Sequence, residues 1–158
     1  MQKQEIKKIL FPTDFSVASD YALSYAVSMA KRFKAEIFLI HVVDTSYDIS
    51  GFYIPHISVE KLIQEMESSA EAQLKKVGGK ISRSVKAYKS AVKSGIPYKE
   101  IIKFAKNKGI DMIIMGTHGK SGTDHFFFGS TTERVMKQAD CPVLTIRPPK
   151  DMLLKGRE

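Results

Sequence analysis

Two periodicities alternate along the chain. Short apolar runs recur at residues 6–11 (IKKILF, stopped by Pro12), 37–43 (IFLIHVV), 85–92 (VKAYKSAV), 111–115 (DMIIM) and 142–146 (PVLTI). The second and fourth are almost continuously apolar, as in strands covered on both faces. The third is interrupted by Lys86 and Lys89, which suits a sheet edge, where lysine discourages unwanted pairing. Between these runs apolar residues return at helical spacing. Ala18, Ala22, Tyr25, Ala26, Met29 and Phe33 follow a capping Ser16. Val59, Leu62, Ile63, Met66, Ala70, Leu74 and Val77 follow Ser58, and Gly78-Gly79 reads as the end of that helix or a weak last turn. Ile101, Ile102 and Ala105 follow Pro97, a good first helical residue, and Gly109 is a natural stop. Ser130-Thr-Thr-Glu133 has the capping-box pattern, and Val135, Met136 and Ala139 continue its helix. Strand and helix alternate throughout, which predicts an α/β domain with a mainly parallel sheet. Residues 44–57 have no period and form a long connection for a small domain. Arg147-Pro-Pro opens a polar tail, so the expected division is a domain over 1–148 and an unstructured tail over 149–158.

Length and composition narrow the class. The 158 residues suit one domain with a sizeable core. Apolar residues make up 43 % and charged residues 27 %, ordinary values for a globular protein. No apolar run approaches a membrane span, and the first residues lack the pattern of a secretion signal. The expected location is the cytoplasm, and a single cysteine, Cys141, suits a reducing compartment. The formal charge is +8, but residues 75–108 hold eleven basic residues against one acid, Glu100. That zone carries +10 and leaves −2 for the rest. Such a zone can attract nucleic acid, anionic lipid or acidic partners. A solvated lysine-rich face is the commoner case. No arginine cluster or interleaved aromatic set favours nucleic acid.

The candidate chemistry lies in residues 116–135, GTHGKSGTDHFFFGSTTERV. This stretch joins a buried strand to a helix start, where open α/β sheets bind ligands. A helix N-terminus offers free N–H groups and partial positive charge to an anion. Gly129 would let the backbone approach a phosphate, and the Ser130 and Thr131 hydroxyls could add hydrogen bonds. Lys120-Ser121 invites comparison with the P-loop, but Ile114 stands where that motif needs its first glycine. The dinucleotide fingerprint is also missing, since Pro12-Thr13-Asp14 follows the first strand. The four histidines show no metal-ligand spacing, and His41 reads as a satisfied polar group at a strand end.

The spacing Gly116-x2-Gly119-x9-Gly129-Ser130 resembles the ATP-binding signature of the universal stress protein family. ILFPTDFS (9–16), LIHVVD (39–44), DMIIMGTHGKSG (111–122) and CPVLTIRP (141–148) resemble its first, second, fourth and fifth strands and their turns. The likeness runs from about residue 5 to 148. It implies an open five-stranded parallel sheet in the order 3-2-1-4-5 with helices on both faces, the adenine-nucleotide alpha-hydrolase-like arrangement. That order would set Pro12, Thr13 and Asp14 opposite the Gly116 loop. It further implies that Thr13, Asp14 and Val42 line adenine and ribose. Met115, Gly116 and Gly119 would shape the floor, and Gly129, Ser130 and Thr131 would hold the phosphates. ATP, with Mg²⁺, and a homodimer through the last strand are implied as well. The loop centre TDHFFF is bulkier than that pattern, and Phe126, Phe127 and Phe128 are expected to pack on the core or on a partner.

Three functions compete at this point. One is a dimeric regulatory module that uses ATP occupancy as a signal. Another is a slow ATPase or phosphotransferase, for which Asp14, His118, Lys120 and His125 are available but not assembled by any spacing. The last is an interaction protein that needs no nucleotide and uses its basic zone or residues 44–57 toward an unknown protein partner.

Overall fold

The computed structural model describes residues 5–46, 58–117 and 128–155. Strand β1 (Lys8–Pro12) leads to helix α1 (Val17–Phe33), then β2 (Glu36–Asp44) and α2 (Val59–Ile81). The chain continues through β3 (Tyr88–Gly95), α3 (Pro97–Lys108), β4 (Met112–Gly116), α4 (Ser130–Gln138), β5 (Val143–Ile146) and α5 (Lys150–Lys155). The strands form one sheet in the order β3-β2-β1-β4-β5, and every pairing is parallel. The implied strand order is therefore the observed one.

The central strand explains the layering. Ile9, Leu10 and Phe11 are all essentially inaccessible to solvent, because successive residues of β1 enter opposite cores. Ile9 and Phe11 join Ala22, Leu23 and Ala26 of α1 and Leu74 and Val77 of α2. Leu10 joins Ile101 and Phe104 of α3 and Val135 of α4 on the other face. Asp111 clips the start of β1 to β4: its Oδ2 accepts from the Lys7 and Lys8 amides at 2.9 and 2.8 Å.

Helix ends follow local chemistry, with some departures from the sequence reading. Ser16 and Ser58 cap α1 and α2 as expected, each accepting from the amide three residues on. Gly109 closes α3 in the left-handed conformation, φ 58°. In α1 the buried stripe is Ala18, Ala22, Leu23, Ala26 and Ala30, whereas Tyr25 and Phe33 are exposed. Alanines let α1 lie close to the sheet, and the two large rings are left outside. Gly78 and Gly79 do not end α2, which continues to Ile81. A Cβ on Gly78 would collide with the Tyr88 ring, so this glycine makes room for a neighbour. Strand β3 begins three residues later than the apolar run and, among the described residues, pairs with β2 alone, at the edge of the sheet as expected. The tail expected to lack structure forms α5 over Lys150–Lys155.

Candidate functional site

The chain leaves β1 and β4 toward opposite faces of the sheet, and a crevice opens between their carboxyl ends. One wall is the turn after Pro12. The Thr13 amide donates to the Ile40 carbonyl at 2.9 Å. Thr13 Oγ1 accepts from the Phe15 amide at 3.0 Å and from Ser19 Oγ at 2.9 Å. Asp14 Oδ1 accepts from the Ser16 amide at 3.0 Å. Phe15 adopts φ 62°, a conformation that non-glycine residues enter at a cost. His41 Nδ1 lies 2.8 Å from the Thr13 carbonyl oxygen, and its ring stacks on Phe15 at 4.6 Å. His41 is thus satisfied, but it sits within β2 and not at its end.

The opposite wall is the start of α4. The Gly129 amide donates to the Thr117 carbonyl at 2.8 Å, and Thr132 Oγ1 donates to the Gly116 carbonyl at 3.0 Å. These bonds anchor the helix N-terminus to the end of β4. The capping box is not formed. The first helical bond runs from the Glu133 amide to the Gly129 carbonyl, so Gly129 is the cap and Ser130 lies inside the first turn. Among the described residues no side chain caps α4, whose cap residue is a glycine. Glu133 instead takes the Lys137 ammonium at 2.6 Å, which holds its carboxyl below the usual range. Helix α3, which brings Pro97 to the same crevice, also lacks a side-chain cap. Neither cap residue therefore supplies a side-chain acceptor to the first-turn N–H groups of its helix.

The crevice has a volume of about 390 Å³. Pro12, Thr13, Asp14, Val42, Met115, Gly116, Gly129, Ser130 and Thr131 all line it. Gly119, the tenth expected site residue, lies outside the described residues, as do His118, Lys120, His125, Phe126, Phe127 and residues 47–57. Phe128 is described and is 44 % exposed, not packed on the core. The sequence reading missed Ser19, Ile40, His41, Asp44, Pro97, Ile101 and Thr132, which also line the crevice. Asp44 and His41 share β2 with Val42, so their strand was a usable signal. Pro97 and Ile101 come from the neighbouring crossover and gave none. Among the described residues no three His, Cys, Asp or Glu side chains gather as a metal site, and no helix is long and apolar enough to cross a membrane.

Comparison with known proteins gives this geometry a context. Residues 5–147 match the model of the universal stress protein family. The universal stress protein MJ0531 of Methanocaldococcus jannaschii is 39 % identical over 145 residues, covering 91 % of this chain and 84 % of that protein. The solved structure of the hypothetical protein MJ0577 from the same organism superposes with a TM-score of 0.81 at 31 % identity, covering 92 % of this chain and 99 % of that one. The universal stress protein UspA of Lactobacillus plantarum follows at 0.78 and 28 %, with coverages of 92 % and 100 %. Two more distant structures, a universal stress protein with cAMP and one from Archaeoglobus fulgidus with dAMP, share the fold at 17 % identity and TM-scores of 0.64 and 0.60. By its sequence over residues 5–147, the chain belongs to the universal stress protein family.

Proposed function

We propose that the crevice binds ATP with Mg²⁺ and that the protein is a regulatory module whose nucleotide occupancy is the signal. The observation that carries this reading is the joining of two segments about 115 residues apart in sequence. Thr13 and Asp14 form one wall, and Gly129, Ser130 and Thr131 form the other. The volume and the apolar floor of Ile40, Ile101 and Met115 suit a base and ribose. The glycine-capped start of α4 suits phosphate. Mg²⁺ commonly rides on phosphates with one or two carboxylates and water; among the described residues Asp14 and Asp44 bring carboxylates to the crevice. The adenine nucleotides held by two structural neighbours fit the same reading.

We favour regulation over turnover: among the described residues Asp14 holds the Ser16 amide and His41 the Thr13 carbonyl, contacts that build the wall, whereas hydrolysis also needs a group that orients the attacking water. A homodimer through β5 belongs to the same reading. Among the described residues that strand pairs only with β4, and its four residues are half-buried.

Calorimetric titration of nucleotide-stripped protein with ATP and Mg²⁺, beside Gly129→Val, tests the site. Saturable binding in the wild type that is lost in the variant is expected, because a branched side chain at the cap obstructs the approach of phosphate. No binding heat and no thermal stabilisation at millimolar ATP would overturn the proposal.

A further inference from the structure

We infer that His41 is a positioning residue for the nucleotide, holding the Thr13–Asp14 peptide in the orientation that the ligand meets. The inference rests on the nucleotide reading of the crevice. It begins with the parity of β2. Ile37 and Leu39 point into the core beneath α1 and α2, and His41 follows them on that face. There it meets the turn after β1.

The turn is not self-supporting. Phe15 stands at φ 62°, where a side chain other than glycine is disfavoured, so the surroundings must hold it. Thr13 provides the grip. Its amide is bonded to Ile40, and its hydroxyl oxygen accepts from the Phe15 amide and Ser19 Oγ. Its carbonyl is 2.8 Å from His41 Nδ1. A carbonyl can only accept, so Nδ1 carries the proton and the tautomer is set. Thr13 is therefore a strut, and its backbone orientation is what the site depends on. The peptide is trans, so its carbonyl and the following N–H point in opposite directions. Fixing the Thr13 carbonyl on His41 fixes the Asp14 amide on the other side. The imidazole also stacks on Phe15, so one ring bears on both ends of the strained step.

Two substitutions separate these contacts. His41→Phe keeps a ring against Phe15 and removes the donor. His41→Asn removes the ring and restores an N–H near the place of Nδ1. ATP affinity is measured by calorimetry on ligand-free, folded protein, and urea unfolding of each variant is measured in parallel. The Phe variant is expected to bind roughly tenfold more weakly, the scale of one lost orienting hydrogen bond. The Asn variant is expected to stay within about threefold of wild type. A purely structural histidine would instead lower the unfolding midpoint of the Phe variant and leave the affinity of folded protein unchanged. Equal affinity in all three proteins, or equal weakening in both variants, overturns the inference. If His41→Phe does not fold, His41→Gln takes its place, since its longer amide reaches toward the Nε2 position. A wild type that takes up no ATP overturns the nucleotide reading itself and His41's part in it. A binding wild type with unaltered variants overturns the His41 inference alone.

Discussion

Cys141 sits beside two carboxylates, and burial pushes its thiol up from the ordinary value while Asp111 and Asp140 add to the shift. The folded protein thus disfavours the thiolate. This contribution to stability is fully present below the unfolded thiol's pKa and is lost as pH rises through the higher folded value. Because the thiolate is the reactive form, iodoacetamide at pH 8 is expected to label native Cys141 more slowly than the urea-unfolded chain. Equal rates would contradict the shift. Individual residues were unevenly legible in the sequence. Gly129, Ser130 and Thr131 stood out because glycine and hydroxyls before a helix carry a local meaning. Helical period alone puts Tyr25 and Phe33 in the buried stripe because it counts apolar residues without weighing their size, whereas the close approach of α1 to the sheet selects alanine. His41 looked inert because its partner, the Thr13 carbonyl, lies 28 residues away.

At the scale of elements, α2 carries an internal control. Gly78 and Gly79 are adjacent in one helix, yet a Cβ on Gly79 meets nothing within 4 Å. Gly79→Ala is therefore expected to stabilise the protein by about 1 kcal/mol through helix propensity. At Gly78 the same gain opposes a collision with the Tyr88 ring, and overpacking costs about 1–3 kcal/mol. Gly78→Ala is expected to show no gain or a loss of about 1 kcal/mol. Urea unfolding of both variants decides it, and equal stabilisation would mean that Tyr88 moves aside freely. The type and order of elements could be read because the two periods differ and because Ser16, Ser58, Pro97 and Gly109 mark their ends. The misreadings arose where distant neighbours chose between local options. Tyr88 turned a glycine pair from a terminator into a packing notch. The Gly129–Thr117 bond fixed the start of α4, and a serine that looked like a cap became part of the first turn.

For the whole molecule, strand order lay beyond periodicity, since no local pattern states that β1 lies between β2 and β4. Only the resemblance implied it. The proposed dimer is tested at this scale. Bonds from the Ile113 amide to the Pro142 carbonyl and from the Thr117 amide to the Ile146 carbonyl leave the Thr145 N–H on the open side of β5, by the alternation of a parallel ladder. Thr145→Pro is expected to yield monomers in sedimentation while ATP affinity is retained. A wild-type protein that sediments as a monomer at tens of micromolar would remove the dimer from the proposal.

The register of the central strands has a further consequence. Ile9 pairs with Met112 and Leu10 with Ile113, so the two walls of the crevice belong to halves of the chain that meet late in synthesis. Such distant pairings close slowly, because the loop entropy is spent before the contacts form. A chain halted on the ribosome before β4 emerges would lack half of the crevice. On the proposed reading, nucleotide capture would then double as a report that folding is complete, and added ATP should shield full-length chains, but not fragments ending at residue 110, from proteolysis.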